Sequence, residues 1–444
     1  MLRILYRTLW YIAAPLAVAR LLVRSRHERG YIEHIVERFG YTASYAARNK
    51  APLIWIHAVS LGETRAAEPL ILAMLEEHPD AQILITHMTL AGRMMSEKLF
   101  GARVLRCYLP YDMCGPVRRF LRAWRPTLGI VLETEVWPTL IDECRYAGIP
   151  LVLTNARMSE RSYQRAARFS SVVRHVFGGF SRVLAQSAAD AQRLSALGAH
   201  DVVVLGNLKF DIVRAAELSD QGRAWHAAIG QRPVWVAGST HEGEEALVLD
   251  AYRQLHIADA LLVLVPRHPQ RFDAVAELVK CTGLKLARRS QWPKTSMQAS
   301  ASRPVAIDPL PDDVQVLLGD SMGEMSAYYV AADVAFIGGS LLPIGGQNLI
   351  EACAIGVPVV IGPHTFNFEQ VCFDAITAGA ALRVRDPATL AQAVHTVLTN
   401  RVYRVTMGAA GAAFAARHRG ATRRTLDELE ALLPAPRQRI SDSS

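Results

Sequence analysis

Cysteine is scarce in this chain, and the cysteines that are present do not cluster. Among 444 residues there are six, and none of them form a C-x-x-C pair. This spacing argues against a zinc site and against a disulfide framework, and it is consistent with a reducing cytoplasm. The six residues are Cys107, Cys114, Cys144, Cys281, Cys353 and Cys372.

Two signatures of phosphate chemistry are also absent. The chain contains no Walker A motif and no D-x-D sequence. The first absence disfavours a P-loop for a nucleoside triphosphate, and the second disfavours a diphosphate donor held through a metal ion. We therefore expect neither a metal nor a bound cofactor.

Long apolar runs are missing as well. The uninterrupted apolar stretch near the N-terminus, residues 8–19, has twelve residues, whereas a membrane span needs ~20. Passing over Arg20 extends it to Val23, so the sequence leaves open whether this segment spans a membrane or lies on its surface. No small-residue cleavage site follows, which argues against a cleaved signal peptide.

Positive charge is concentrated in the same segment. The first fifty residues contain nine basic and three acidic residues and so hold six of the eight excess positive charges. Tyr6, Trp10 and Tyr11 with flanking arginines predict a membrane anchor, residues 1–30, at an anionic cytoplasmic leaflet. The alternative is an amphipathic helix packed on the protein's own body. Because the remaining chain is nearly neutral, no nucleic-acid partner is expected.

Apolar runs alternate with helix-length segments in two cycles, which predicts parallel sheets covered on both faces. We expect two doubly wound Rossmann-like domains that face a cleft, over residues 31–212 and 213–433, followed by a polar tail, 434–444. The first domain has predicted strands at 53–58, 82–86, 104–108, 128–132, 151–154, 182–185 and 202–205. The second has them at 234–237, 261–265, 314–317, 334–337 and 357–361.

Glycine pairs and one arginine at strand ends predict a phosphate site in the second domain. Gly338 with Gly339, and Gly345 with Gly346, lie in a strand-turn-helix segment where backbone amides can approach a ligand. Arg267, between two prolines at a strand end, can pair with two phosphate oxygens. These features fit a nucleoside monophosphate, with Asn348 as a helix cap and Glu351 on the ribose. The alternatives are plain tight turns and an exposed salt bridge.

Three charged residues follow strands of the first domain. Glu63 begins a helix after Gly62 and can take a proton from an attacking hydroxyl, or it can simply complement the helix dipole. Glu133 can orient an acceptor and Lys209 can neutralise an anion. The latter two can equally form one interdomain salt bridge.

With these residues the chain resembles the lipid A 3-deoxy-D-manno-octulosonic acid (Kdo) transferase family, from the N-terminus to about residue 420. The motifs that carry the resemblance are His57-Ala-Val-Ser-Leu-Gly-Glu63, Glu133-Thr-Glu-Val-Trp-Pro138, Asn155-Ala-Arg157, Gly206-Asn-Leu-Lys-Phe-Asp211, Ser239-Thr-His-Glu-Gly-Glu244, Pro266-Arg-His-Pro269, Gly319-Asp-Ser-Met-Gly-Glu324 and Gly345-Gly-Gln-Asn348.

The resemblance implies a GT-B fold and an inverting, metal-independent transfer of Kdo from CMP-Kdo to a lipid A precursor, at the cytoplasmic face of the inner membrane. By motif, Glu63 is the general base, and Glu133 with Lys209 assists the transition state. The implied CMP contacts are Pro266, Arg267, Met322, Gly323, Glu324, Asn348, Leu349, Ile350 and Glu351.

Two departures from the family pattern are Gln347, where His is frequent, and Leu349, where Pro is frequent. Two alternative functions stay open. One is another GT-B protein with a UDP-sugar, such as a 2-epimerase or a hexosaminyltransferase. The other is a catalytically silent membrane scaffold, against which the presence of Glu63, Glu133 and Lys209 argues.

Overall fold

Two parallel sheets packed with helices organise the chain. The computed structural model describes residues 2–26, 29–42, 51–211, 216–292 and 307–433. The chain divides into two compact units, which we call unit 1 (Met1–Ile212 with Arg419–Ser444) and unit 2 (Val213–His418). The prediction of two doubly wound α/β domains is confirmed.

Unit 1 contains a seven-stranded parallel sheet in the order β3-β2-β1-β4-β5-β6-β7. Its strands are β1 (Leu53–His57), β2 (Gln82–His87), β3 (Leu105–Tyr108), β4 (Leu128–Leu132), β5 (Leu151–Ala156), β6 (Arg182–Ala185) and β7 (Val202–Val204). Its helices are α1 (Leu2–Ser25), α2 (Leu61–Glu77), α3 (Leu90–Phe100), α4 (Cys114–Trp124), α5 (Pro138–Tyr146), α6 (Glu160–Ala167), α7 (Ser170–Phe177) and α8 (Ala188–Ala196), with α17 (Ala421–Glu430) from the C-terminal segment.

Unit 2 contains a second seven-stranded parallel sheet, in the order β10-β11-β9-β8-β12-β13-β14. Its strands are β8 (Val234–Thr240), β9 (Leu261–Pro266), β10 (Leu286–Arg288), β11 (Val316–Leu318), β12 (Val334–Ile337), β13 (Val359–Ile361) and β14 (Ala381–Arg383). Its helices are α9 (Ala216–Ile229), α10 (Glu244–Gln254), α11 (Phe272–Cys281), α12 (Met325–Val330), α13 (Ile350–Ile355), α14 (Glu369–Thr377), α15 (Pro387–Thr399) and α16 (Arg401–Arg417).

The apolar runs are buried on both faces of the sheet, as the absence of polar alternation predicts. In β1, Leu53 and Trp55 join one apolar cluster, while Ile54 and Ile56 join another. Successive side chains of a strand point to opposite faces, so the two clusters cover the two sides of the sheet in unit 1.

Two strands were missed by the sequence analysis, β10 and β14. Both have three residues and lie at the edges of the unit 2 sheet. Their side chains are mostly half-buried or exposed, and each strand ends in an arginine, Arg288 or Arg383. An edge strand needs no continuous apolar run, so the pattern that found the other twelve strands can miss it.

The predicted end of the second domain at residue 433 needs correction, because α17 belongs to unit 1. Leu426 and Leu429 are fully buried in the cluster that contains Ile54. Asp211 accepts hydrogen bonds from Gly420 N (2.7 Å) and Thr422 N (2.6 Å) at the start of this helix. The chain therefore returns to unit 1 after α16, and the predicted tail, 434–444, lies outside the described residues.

Helix α1 packs on unit 1 through one face. The Tyr6 hydroxyl donates to Asp112 Oδ2 (2.8 Å), and the Trp10 ring lies 5.8 Å from Tyr111 and 6.2 Å from Trp137 between centroids. None of the helices in the described part of the chain combines the length and the apolar character needed to cross a membrane. The opposite face of α1 leaves large apolar side chains exposed, namely Leu9, Tyr11, Ile12, Leu16, Leu22 and Val23.

Candidate active site

The strand order of unit 1 reverses between β1 and β4. From β1 the chain builds the sheet in one direction through β2 and β3, and from β4 in the other. The carboxyl ends of parallel strands at such a switch point form a crevice where ligands of α/β proteins bind. Glu63 follows β1 and Glu133 follows β4, so both lie at this crevice.

Glu63 is held in the first turn of α2 by a reciprocal cap. Ser60 is the N-cap residue, and its Oγ accepts from Glu63 N (3.4 Å). In return, Val59 N donates to Glu63 Oε2 (2.7 Å), and Ser60 Oγ donates to Glu63 Oε1 (3.1 Å). Glu63 therefore lies in the first helical turn, as its alternative role of complementing the helix dipole requires, and this reciprocal cap fixes the carboxylate at the end of β1.

The environment of Glu63 favours its protonated form. Burial raises the pKa of Glu63 to about 7, and the negative charges of Glu133 and Glu135 add to this, against the hydrogen bonds from Val59 N and Ser60. In the described residues no cation forms an ion pair with Glu63. A carboxylate with a pKa near neutrality is suited to accept a proton from a hydroxyl at physiological pH.

Glu133 has the opposite environment. It is buried with a left-handed backbone (φ 56°), and its Oε1 lies 2.8 Å from Lys209 Nζ while its Oε2 lies 3.6 Å from Arg157 Nε. Burial alone would raise the pKa of Glu133, but the charges of Lys209 and Arg157 lower it below its ordinary value. Two neighbouring carboxylates with pKa values shifted in opposite directions can take different roles.

Lys209 reaches Glu133 because a backbone reversal and two side-chain amides hold the loop after β7. Gly206 has a left-handed backbone (φ 93°), which reverses the chain at the end of the strand. Asn207 Oδ1 accepts from Lys209 N (3.0 Å), and Asn155 Oδ1 accepts from Leu208 N (3.1 Å). These amide contacts place the ammonium group of Lys209 beside Glu133, at the end of β4.

The structure brings the three predicted residues of unit 1 to one place. The pairing of Glu133 with Lys209 is the salt bridge that the sequence offered as an alternative, except that it lies within unit 1. Sequence reasoning assigned no role to Arg157, although it lies in the quoted motif Asn155-Ala-Arg157. Its position two residues after Asn155, at the end of β5, was the available signal.

Unit 2 has its own switch point, between β8 and β12. Glu244, which is fully buried, accepts from Gly339 N (2.6 Å), Ser340 N (3.0 Å) and Leu341 N (3.0 Å). The amides of the Gly338-Gly339 turn are therefore occupied by a protein carboxylate. The prediction that this turn receives a phosphate is not supported, because Glu244 binds where the anion was expected.

Arg267 is the cation best placed for an anionic ligand in unit 2. It follows Pro266, the buried last residue of β9, and its backbone N donates to Thr240 O (2.9 Å). Arg271 is paired with the buried Glu245, with Nη2 3.3 Å from Oε2. By contrast, the guanidinium of Arg267 forms no ion pair with any residue that the structure describes.

Two histidines extend this basic group. His241 and His268 pack edge to face with ring centroids 5.4 Å apart. Burial, with the charges of Arg267 and Arg271, lowers the pKa of both imidazoles. Gln347, one of the departures from the family pattern, has its Nε2 3.1 Å from His241 Nε2, so the amide donates to the neutral imidazole.

The loop after β11 offers fewer side chains for contact with a ligand than the sequence predicts. Glu324 accepts from Arg289 Nη2 (3.1 Å) and Gln221 Nε2 (3.0 Å), so its carboxylate already supports the loop. Gly323 has a left-handed backbone (φ 85°), and Met322 is 52% exposed. Of the predicted contact residues in this loop, Met322 is therefore the one with an exposed side chain.

The segment before α13 limits which atoms of the predicted contact residues could reach a ligand. Leu349 and Ile350 have buried side chains, so only their backbone atoms could touch a ligand. Asn348 was predicted as the helix cap, but the N-cap residue of α13 is Leu349, and Asn348 Oδ1 instead accepts from Ile350 N (3.1 Å) one residue before that cap. The Ser326 hydroxyl donates to Glu351 Oε1, which joins α12 to α13.

Comparison with known proteins decides between the functions that this geometry allows. A family model described as 3-deoxy-D-manno-octulosonic-acid transferase (kdotransferase) matches residues 33–212, and a model of glycosyl transferases group 1 matches residues 297–414. The 3-deoxy-D-manno-octulosonic acid transferase of Bordetella pertussis is 44% identical, covering 94% of this chain and 96% of the relative. The chain belongs to the Kdo transferase family.

A second relative extends over nearly the whole length. The Kdo transferase of Haemophilus influenzae is 34% identical and covers 98% of this chain and 99% of that protein. The identification made from the sequence motifs is therefore confirmed, and the chain is an enzyme, a Kdo transferase.

Solved structures show the fold. UDP-GlcNAc 2-epimerase from Neisseria meningitidis bound to UDP-GlcNAc is 13% identical with a TM-score of 0.60, and the match covers 86% of this chain and 100% of that one. At this identity the likeness concerns the fold alone, and it agrees with the predicted GT-B class.

Proposed function

We propose that this Kdo transferase moves Kdo from CMP-Kdo to a lipid A precursor in lipopolysaccharide biosynthesis, with unit 2 binding the donor and unit 1 supplying the base. The observation that carries the proposal is the contrast at the switch point of unit 1. There Glu133 is paired with Lys209, which lowers its pKa, while Glu63 forms no ion pair with a described residue and has a raised pKa. The names of the relatives support Kdo as the transferred sugar.

In the proposed reaction Glu63 removes the proton from the acceptor hydroxyl. The hydroxyl oxygen forms a bond to the anomeric carbon of Kdo, the bond from that carbon to the phosphate oxygen breaks, and CMP leaves with the electron pair. A single displacement of this kind inverts the configuration at the anomeric carbon. The Val59 N–H and the Ser60 hydroxyl orient the carboxylate without neutralising it.

Glu133 and Lys209 assist by fixing charge. The ion pair keeps Glu133 ionised close to Glu63, and this negative charge helps to raise the pKa of the base. Lys209 also supplies a cation to the crevice, where it can offset negative charge on the reacting groups. Arg157, at 39% side-chain exposure, is a second such cation.

The donor site is proposed around Arg267. Its guanidinium can pair with two oxygens of the CMP phosphate, and the adjacent His268 is exposed. His268 packs against His241, and His241 in turn contacts Gln347, so these side chains connect Arg267 to the segment of Asn348. Met322, the backbone of Gly323 and Glu351 remain available to the nucleoside.

We propose that transfer needs no metal ion. A CMP-sugar has a single phosphate, and one arginine can receive its charge, whereas a diphosphate donor is often held by a divalent cation. The lack of a D-x-D sequence supports this. In the described part of the chain no three or more His, Cys, Asp or Glu side chains are grouped as a metal site would require.

We propose that α1 attaches the enzyme to the cytoplasmic face of the inner membrane by lying in its surface. The apolar side chains on the outer face of α1 are each more than half exposed, and Arg20, Arg24 and Arg26 are exposed near its end. An apolar face flanked by arginines fits an interface with anionic lipid. The packing of Trp10 on Trp137 holds the inner face of the same helix on unit 1.

A first prediction concerns the base. Glu63→Gln keeps the shape of the side chain but cannot accept a proton, so the transfer rate falls about 100-fold or more while the affinity for CMP is unchanged. Because the base acts when ionised, kcat/KM of the wild-type enzyme rises with pH and levels off above about 7. The measurement is radiolabel transfer from CMP-Kdo to the tetraacylated lipid A precursor across pH.

The matched control for this change is Glu68→Gln, which alters a glutamate on the same helix, paired with Arg65. It should retain the rate and the pH profile. Substantial transfer by Glu63→Gln would show that Glu63 acts only as a helix cap. Equal loss in both variants would point to damage to α2.

A second prediction concerns the donor. Arg267→Ala removes a charge-assisted contact and weakens CMP binding about tenfold or more, as measured by isothermal titration in a buffer with EDTA. Arg253→Ala, an exposed arginine of the same unit, serves as the control and leaves the affinity unchanged. Unchanged affinity in Arg267→Ala, or no wild-type binding with EDTA present, would contradict the proposed metal-free site.

A third prediction concerns the membrane. The double variant Ile12→Asp, Leu16→Asp replaces two exposed apolar side chains and reduces binding to phosphatidylglycerol-containing vesicles about tenfold or more, measured by co-sedimentation. Val402→Asp, on the exposed side of α16, is the control and binds as the wild type does. Equal binding by all three proteins would show that α1 does not carry the membrane contact.

A further inference from the structure

Strand β2 ends at a histidine that the mechanism above does not use. His87 is fully buried, and its Nδ1 lies 2.8 Å from the carbonyl oxygen of Ala58, in the turn between β1 and α2. Sequence reasoning did not single out this residue, because a lone histidine at the end of an apolar strand is usually an ordinary core residue. Its contact with the turn connects it to Glu63.

The two hydrogen-bonding groups of one peptide unit connect His87 to the base. The carbonyl of Ala58 and the N–H of Val59 belong to the same amide plane. His87 Nδ1–H donates to the carbonyl, and the Val59 N–H donates to Glu63 Oε2 (2.7 Å). Hydrogen bonds in such a chain polarise one another, so the first contact strengthens the second.

The tautomer of His87 follows from its surroundings. A carbonyl oxygen only accepts, so the contact requires hydrogen on Nδ1. Nε2 is buried, and no atom in the described part of the structure forms a hydrogen bond with it. Burial, with the charges of Arg93 and Arg106, lowers the pKa of His87 to about 4 despite the contact with Ala58. The imidazole therefore stays neutral over the pH range in which the enzyme works.

The segment that follows His87 fixes the next peptide of the same turn. The carbonyl of Val59 accepts from Met88 N (3.2 Å), Thr89 N (3.2 Å) and Thr89 Oγ1 (3.1 Å). Gly92 packs so closely that an added Cβ would lie 3.2 Å from His87 Nδ1. The turn that holds Glu63 is thus held by hydrogen bonds from His87 and from the connection between β2 and α3.

We propose that His87 is a positioning residue for the reaction: its Nδ1–H fixes and polarises the Ala58–Val59 peptide, whose N–H holds the ionised carboxylate of Glu63. This inference rests on the proposed role of Glu63 as the base. His87 touches no substrate in this account, and it acts only through the peptide group.

Other charges act on the same groups and set the background against which the effect is read. Glu133 and Glu135 face Glu63, and they disfavour its ionised form. Arg93 and Arg106 face His87. None of these side chains contacts the Ala58–Val59 peptide through a hydrogen bond that involves the described residues. Changing His87 alone therefore reports on the peptide relay.

The experiment compares the pH profile of kcat/KM for three proteins. His87→Phe fills the space but removes the donor, so the ionised form of Glu63 loses support and the rising limb moves to higher pH by about half a unit. Below the limb, kcat/KM falls about threefold, while well above it the wild-type value returns. His87→Asn places an amide N–H where Nδ1 was, and it restores the wild-type limb.

His57→Phe is the matched control. His57 is equally buried on the neighbouring strand, but its Nδ1 faces Thr86 Oγ1 (2.9 Å) rather than the turn. Its loss should leave the midpoint of the limb in place. A loss of activity at every pH in His87→Phe, or a limb that does not move, would overturn the relay and reduce His87 to a core residue.

A second measurement needs no change at His87. In ¹⁵N-histidine-labelled wild-type enzyme, the Nδ1 resonance of His87 should show a step at the pH where Glu63 titrates, and Glu63→Gln should abolish the step. A flat resonance in the wild type would contradict the relay. If instead Glu63→Gln keeps its transferase activity, the base assignment itself fails, so the two failures are distinguishable.

Discussion

The ion pair between Glu133 and Lys209 is the interaction on which the site in unit 1 depends. It joins the end of β4 to the loop after β7, and it satisfies a carboxylate that is buried with a left-handed backbone. The loss of one partner of a buried pair costs about 3–5 kcal/mol when nothing else compensates the remaining charge. Here Arg157, 3.6 Å from Glu133 Oε2, would remain after the loss of Lys209. The same loop ends at Asp211, which holds the start of α17 on unit 1.

The pairing of Glu133 has a consequence for its neighbour. Lys209 pairs with Glu133, whereas within the described residues the hydrogen bonds to the Glu63 carboxylate come from dipoles, the Val59 amide and the Ser60 hydroxyl. Unit 2 also combines a buried carboxylate with a second charged group, which here is a cation. There Glu244 occupies the glycine-turn amides, and Arg267 forms no ion pair within the part of the chain that the structure describes. In both units a buried carboxylate, Glu133 or Glu244, stabilises a loop. A less buried side chain, Glu63 or Arg267, lies beside it.

The sequence predicted the order of elements well, because long apolar runs leave local signals. The structure also brings the predicted residues Glu63, Glu133 and Lys209 together at strand ends, and their roles stay predictions. The sequence could not separate ligand groups from supporting groups, since this depends on contacts between residues far apart in the chain. Glu244 taking the amides near Gly339 is one case, and the burial of Leu349 is another. The return of α17 to unit 1 also leaves no local signal, because an amphipathic helix can pack on either domain.

Two adjacent glutamates have pKa values shifted in opposite directions, and nuclear magnetic resonance of ¹³Cδ-glutamate-labelled enzyme tests this most directly. Signals assigned with Glu63→Gln and Glu133→Gln should titrate separately. The account predicts a midpoint of about 7 for Glu63 and one below the ordinary value for Glu133. A Glu63 signal that titrates at or below the ordinary glutamate range, or a Glu133 signal that titrates above it, would contradict the account.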